Sequence, residues 1–217
     1  ENIAGGNLKK DIEVLLFDLG GVLVTWKGVE GLRDFSDGRM TLEEARLFWL
    51  NSKWVRKFER GQCDVSEFVA GFVDELDFTV TDDQIREAFL TWDRGPMPGA
   101  LDLLSQLRGR YRLACLSNNE EVHWNRLKQF HQVNSYFDKC YLSHEIGMIK
   151  PDPDVYEYVI EDIGLEPSVI LFFDDNPECV ASARQSGMQA CLARGVGEVK
   201  DILRSREIWP VCGKGSS

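Results

Sequence analysis

The chain has 217 residues, of which 43% are hydrophobic, so it can bury one core, or one core with a smaller satellite domain. Its 36 acidic residues outnumber its 25 basic ones, and the net charge of −11 excludes the basic surface of a nucleic-acid-binding protein. No segment approaches the roughly 20 apolar residues that cross a bilayer, and the N-terminal residues lack the apolar region of a signal peptide. We therefore expect a globular protein that binds neither nucleic acid nor membrane.

The first predicted strand is the apolar run 14–17, which ends at Asp18. From residue 28 the pattern changes to helix starts. Three capping boxes begin at Thr41, Asp64 and Thr81, each with Glu or Gln three residues later. We predict a small helical domain over residues 28–94, called here the helical insert, with its aromatic side chains forming mainly its own core. Residues 94–99, rich in Gly and Pro, read as a stiff link back to the remainder of the chain.

The remainder of the chain alternates predicted strands with predicted helices. Four short strands are expected at residues 112–116, 139–142, 169–173 and 189–192. Asp152-Pro153 and Asn176-Pro177 each combine an N-cap residue with Pro at the first helical position. Together with the first strand, this alternation predicts an α/β fold with a Rossmann-like parallel sheet and helices on both faces. The expected core comprises residues 8–27 and 95–210, and ligands of such sheets bind at the carboxyl ends of the strands.

Polar side chains follow four of the predicted strands. Taken singly, each is an ordinary turn or helix-cap residue, but independent turns would seldom place all of them at one edge. The carboxylates suit Mg²⁺, while the hydroxyl, amide and ammonium groups can hold phosphate oxygens, and the first aspartate can attack phosphorus. These residues are Asp18, Ser117, Asn118, Lys150, Asp174 and Asp175.

Four segments carry a family resemblance. FDLGGVLV, LACLSNN, GMIKPDPDVYEYV and VILFFDDNPECVASARQSG resemble, in order, the four motifs of the haloacid dehalogenase superfamily. The helical insert resembles the C1-type cap of its subfamily I. The first motif is also similar to that of bacterial phosphatases acting on α-D-glucose 1-phosphate, which carry Gly at the same second position.

The resemblance implies a role for each residue at the strand ends. Asp18 would be the nucleophile and a Mg²⁺ ligand. The backbone carbonyl of Gly20 and the carboxylate of Asp175 would be further ligands, with Asp174 acting directly or through water. Ser117, Asn118 and Lys150 would clamp the phosphate.

Gly20 departs from the usual pattern of the superfamily. Its phosphatases usually carry Asp there, which protonates the leaving oxygen and later activates water, a contribution of about 10²–10⁴ in rate. The chain must replace that group, act on an undemanding leaving group such as an anomeric sugar phosphate, or be slow. His123, six residues past Ser117, is a candidate acid because an unperturbed imidazole has a pKa of about 6.5; the alternative is a structural helix histidine.

The sequence thus predicts a Mg²⁺-dependent phosphatase that hydrolyses a small phosphorylated metabolite, in particular a sugar phosphate, through an aspartyl-phosphate. A haloacid dehalogenase would also use Asp18 but needs no metal, which leaves Asp174 and Asp175 unexplained. A phosphate-binding protein without activity is the third alternative. We expect a monomer or weak homodimer. Cytoplasmic thiols are expected because six cysteines, without C-x-x-C spacing, lie at positions 63, 115, 140, 179, 191 and 212.

Overall fold

The computed structural model describes residues 11–208. Its strands are β1 (Val14–Phe17), β2 (Val24–Trp26), β3 (Asp93–Pro96), β4 (Arg112–Ser117), β5 (Lys139–Leu142), β6 (Ile170–Asp174) and β7 (Gln189–Leu192). Its α-helices are α1 (Gly28–Phe35), α2 (Leu42–Asn51), α3 (Lys53–Glu59), α4 (Val65–Glu75), α5 (Asp82–Trp92), α6 (Ala100–Leu107), α7 (Glu121–His131), α8 (Ser143–Ile146), α9 (Pro153–Ile163), α10 (Pro177–Gln185) and α11 (Gly195–Ser205).

Five strands form a parallel sheet in the order β5-β4-β1-β6-β7. The α/β fold and the five predicted strands are confirmed. Separate apolar cores lie on the two faces of the sheet, and the three central strands β4, β1 and β6 are almost entirely buried, as expected where helices cover both faces.

The register of the central strand aligns three strand ends. Phe17 of β1 is opposite Cys115 of β4 on one side and Phe173 of β6 on the other. The residues that follow, Asp18 and Asp174 among them, therefore emerge together at the carboxyl edge of the sheet. Topology alone assembles the polar groups that are scattered in the sequence.

The helical insert contains α1 to α5 and has its own aromatic core, in which Phe68, Phe72 and Phe89 are fully or almost fully buried. The capping boxes at Thr41, Asp64 and Thr81 are all present. Hydrophobic burial and satisfied helix ends therefore stabilise this segment as a separate layer. We propose the division into a core of residues 8–27 and 95–210 and the insert; residues 8–10 and 209–210 lie outside the described part.

Two features differ from the sequence predictions. Residues 94–99 were predicted as a turn-rich link, but the link begins in β3, which pairs antiparallel with β2 where the chain leaves and re-enters the sheet. Apolar alternation is missing from DRGP, so only the tertiary proximity of the two crossings produces this ribbon. Asp152 occupies the N-cap of α9 without a side-chain capping bond, and its carboxylate pairs instead with Arg56 of α3 and with Arg60, which follows α3.

Within residues 11–208, no helix combines the length and the apolar character that a membrane crossing requires. The five cysteines of this part of the chain are free thiols. Cys212 lies outside the described residues.

Candidate active site

A cavity of about 460 Å³ lies between the carboxyl edge of the sheet and the helical insert. The structure brings all the sequence-predicted site residues to this cavity. From the sheet side it is lined by Asp18, Gly20, Ser117, Asn118, His123, Lys150, Asp174 and Asp175. From the insert it is lined by residues that include Trp49, Val55, Arg56 and Glu59.

Lys150 is the centre of the charged groups. Its Nζ lies 2.8 Å from Oδ1 of Asp18 and 2.6 Å from Oδ2 of Asp174, and its side chain is buried. Burial opposes the ammonium charge, but the carboxylates of Asp174 and Asp18 outweigh it and raise the pKa of Lys150. The lysine is therefore a fixed cation at the end of two strands.

Three carboxyl groups surround this one ammonium. Asp18, Asp174 and Asp175 each place an oxygen within 4.8 Å of those of the other two. Burial raises the pKa of Asp18 to about 7, with further contributions from Asp174 and Asp175 that Lys150 only partly offsets. Burial and Asp174 likewise raise the pKa of Asp175. One ammonium does not balance three carboxylates. Their hard oxygen donors fit a divalent cation such as Mg²⁺, which would supply the missing positive charge.

Asn118 holds the loop that carries Lys150. Its Oδ1 accepts a hydrogen bond from the Lys150 backbone N–H at 2.8 Å, and its Nδ2 donates to the Lys150 carbonyl at 2.9 Å. Both ends of the amide are engaged, so this side chain positions Lys150. The second N–H of Nδ2 and the backbone N–H are further donors of Asn118, so its phosphate-clamping role stays a prediction. Ser117 ends β4 and lines the cavity, as predicted.

The two glycines after Asp18 differ in what they permit. Gly21 has φ +76°, and a Cβ there would lie 2.3 Å from Oδ2 of Asp175. A Cβ at Gly20 would meet only the Trp26 Cβ at 3.9 Å, an ordinary contact distance. The backbone conformation and Asp175 thus favour glycine at position 21, whereas a Cβ fits at position 20.

His123 is enclosed by two acceptors. Its Nδ1 lies 2.6 Å from Oε1 of Glu120, and its Nε2 lies 2.7 Å from the Phe89 carbonyl oxygen. Both ring nitrogens must donate to these partners, which makes the ring an imidazolium. Burial opposes that charge, but Glu120 outweighs it and raises the pKa of His123. The ring connects α7 to α5, and its proton-donating role stays a prediction that this geometry does not favour.

Sequence reasoning missed two carboxyl groups near the cavity. Glu120 is a buried N-cap residue paired with His123, and Glu59 lines the cavity from the C-terminal end of α3. A glutamate on a short amphipathic helix ordinarily faces solvent. No local pattern distinguishes Glu59 from the other acids of the helical insert.

The family model of haloacid dehalogenase-like hydrolases matches residues 12–187, and the chain belongs to this family of enzymes. Among its relatives is the phosphatase MT3486 of Mycobacterium tuberculosis, 30% identical, over 88% of this chain and 91% of the relative. The D-ribitol-5-phosphate phosphatase of Bacteroides thetaiotaomicron is 26% identical over 82% and 90%. A family enzyme of that organism, solved with magnesium and inorganic phosphate, is similar in structure: its TM-score is 0.67 at 29% identity, covering 84% of this chain and 94% of that one.

Proposed function

We propose that this chain is a Mg²⁺-dependent phosphatase of small phosphorylated sugars or polyols, acting through an aspartyl-phosphate on Asp18. The observation that carries the proposal is the cluster of Asp18, Asp174 and Asp175 around Lys150 at the base of a covered cavity. Such a cluster needs added positive charge and offers both a nucleophile and a phosphate-binding cation.

The protein groups divide the work of binding and transfer. Asp18, Asp174, Asp175 and the Gly20 carbonyl would hold Mg²⁺, which when bound offsets the negative charge of the acids and of the phosphate. The Asn118 amide holds the backbone of Lys150, and the Lys150 ammonium binds a phosphate oxygen together with the Ser117 hydroxyl. A carboxylate oxygen of Asp18 attacks phosphorus, the P–O bond to the substrate breaks, and water later cleaves the aspartyl-phosphate.

The substrate class rests on the size and lining of the cavity and on the relatives. A cavity of about 460 Å³ with both polar and aromatic walls suits a small metabolite. The relative that acts on D-ribitol 5-phosphate supports a polyol or sugar phosphate. The resemblance of the first motif to phosphatases of α-D-glucose 1-phosphate supports an anomeric phosphate, so both esters are candidates.

The assay compares these two esters with p-nitrophenyl phosphate, in Mg²⁺ and in EDTA. We expect Mg²⁺-dependent phosphate release, and a loss of about 10³-fold or more in Asp18→Asn. Asp102→Asn, on the exposed face of α6, is the matched control and should keep wild-type rates. Turnover that persists in EDTA would contradict the Mg²⁺ requirement, and no turnover of any ester would favour a dehalogenase or a binding protein without activity.

A further inference from the structure

Glu59 brings a carboxyl group from the helical insert to the cavity. It is the last residue of α3, it is partly buried, and it lines the cavity that Asp18 also lines. Its carboxyl group interacts with the side chain of Trp49 on α2. The sheet therefore supplies the nucleophile of this cavity, and the insert supplies a carboxyl group.

Burial favours the protonated form of Glu59. Burial raises its pKa to about 8, and the carboxylate of Glu120 contributes to the rise. Lys150 and Arg56 oppose this shift without cancelling it. Glu120 itself keeps its charge, since pairing with His123 outweighs its burial and lowers its pKa. A raised pKa favours the protonated carboxyl group of Glu59 near neutral pH, which is the form that a proton donor needs.

Several other titratable groups that line the cavity have protein partners. Lys150 pairs with two carboxylates, and His123 donates both ring protons to protein acceptors. Asp93 accepts the Gly95 N–H at 2.7 Å, and Asp152 pairs with Arg56 and Arg60. Glu178 also lines the cavity, but it is an exposed residue in the first turn of α10, whereas Glu59 is partly buried. Glu59 is therefore the acid that we consider for the leaving group.

We propose that Glu59 is the general acid and base of this enzyme and supplies from the insert the proton that Gly20 cannot. The proposal rests on the phosphatase function. In the first step the Glu59 carboxylic acid gives its proton to the ester oxygen as the P–O bond breaks and phosphorus bonds to Asp18. In the second, the Glu59 carboxylate takes a proton from the water that attacks phosphorus. This step releases inorganic phosphate and the Asp18 carboxylate, and Glu59 is protonated again.

The test compares leaving groups in Glu59→Gln. With D-ribitol 5-phosphate, whose alcohol needs a proton, we expect turnover to fall by about 10²–10⁴-fold. With p-nitrophenyl phosphate, whose phenol needs none, the first step should survive and the second should slow. Rapid mixing should then show a burst of about one p-nitrophenol per active site followed by slow turnover. Glu87→Gln makes the same substitution at an exposed acid of α5 and should behave as wild type.

Gly20→Asp provides the rescue experiment, since a Cβ at position 20 meets only the Trp26 Cβ at contact distance. Introduced into Glu59→Gln, it should restore turnover of D-ribitol 5-phosphate by 10-fold or more, to about the level that an added general acid gives. The wild type should also lose activity on this ester above about pH 8, the pKa of Glu59, and Glu59→Gln should lack that loss. The charged groups facing Glu59 are Arg56 on α3, Lys150 before α9 and Glu120 before α7.

Three results would overturn the proposal. Equal slowing of both esters without a burst would make Glu59 a structural residue, and unchanged turnover of the alkyl ester would assign the proton to another group. Absence of Mg²⁺-dependent turnover in the wild type, or its survival in Asp18→Asn, would refute the phosphatase function and with it the proposal. Thermal unfolding of Glu59→Gln shows whether the variant is folded. A folded variant that gives no burst with p-nitrophenyl phosphate would contradict the role of Glu59 as general acid and base.

Discussion

At the residue scale, the two glycines after Asp18 should respond differently to substitution. Gly21→Ala places a Cβ against Asp175 in a left-handed conformation, so we expect a loss of about 1–3 kcal/mol of unfolding free energy and weaker Mg²⁺ binding. Gly20→Ala meets only Trp26 at contact distance and is the matched control. Thermal unfolding and Mg²⁺ calorimetry measure both effects. Equal tolerance of the two substitutions would contradict the close approach of Gly21 to Asp175.

Also at the residue scale, His123→Ala should destabilise the protein without changing its preference among leaving groups. Removing the imidazolium leaves Glu120 buried and uncompensated, at a cost of about 3–5 kcal/mol. Because the pKa of His123 is raised, its contribution is complete at low pH and is lost as the pH rises through that value. Because the pKa of Glu120 is lowered, its contribution is lost as the pH falls through that value.

Chemical unfolding of wild type and His123→Ala over a pH series tests this window. The difference in unfolding free energy should be largest between the two pKa values and should shrink on both sides. Selective slowing of an alkyl phosphate, with p-nitrophenyl phosphate unaffected, would instead make His123 the proton donor.

At the element scale, α3 is fastened to the start of α9. Arg60 lies 2.5 Å from Oδ2 of Asp152, and Arg56 lies 3.4 Å from Oδ1. These side chains are partly exposed, so the pairs contribute less than about 1 kcal/mol to stability. We expect these ion pairs to fix the position of α3, which also carries Glu59 at the cavity. The Asp152 side chain makes no capping bond to α9 and contacts the helical insert instead.

Arg60→Ala should therefore raise KM and lower kcat/KM several-fold while changing the unfolding free energy by less than about 1 kcal/mol. Arg46→Ala, which breaks an exposed pair with Glu43 within α2, is the matched control and should leave the kinetics unchanged. A double-mutant cycle of Arg60→Ala with Asp152→Asn measures the coupling. Additive effects of the two substitutions would show that the pair does not position α3.

At the scale of the whole molecule, Mg²⁺ should stabilise the folded chain. The carboxylate cluster is assembled only when β1 and β6 pair, so the metal binds the folded state in preference to the unfolded one. At a hundred times its dissociation constant, we expect about 2.7 kcal/mol of added unfolding free energy. Asp175→Ala should lose most of this increment, and Asp174→Ala less if Asp174 acts through water.

Thermal unfolding at increasing Mg²⁺ concentration, repeated with Ca²⁺ and with NaCl of matched ionic strength, measures the increment. Stabilisation by NaCl alone would reflect screening of the net charge of −11 and no specific site. An Asp175→Ala variant with the full increment would place the metal elsewhere.

The sequence by itself determined the sheet and its polar edge. Apolar runs bounded by turn residues gave β1, β5 and β7 at their observed bounds and β4 and β6 within a residue. Asp18, Lys150 and Asp174 could be predicted as neighbours because parallel strands deliver their carboxyl ends to one edge. Helix starts in the insert were equally readable, since a capping box is a local chemical pattern.

Only the tertiary structure decided what covers that edge and what each side chain does there. Three contacts join residues that share no local sequence pattern. They are the β2–β3 ribbon, the bonds of the Asn118 amide to the Lys150 backbone, and the Arg60–Asp152 pair. A residue's protonation depends on burial and on neighbouring charges, which sequence spacing does not specify. The sequence therefore showed that a proton donor was missing at Gly20, while the fold alone brought the carboxyl group of Glu59 to the same cavity.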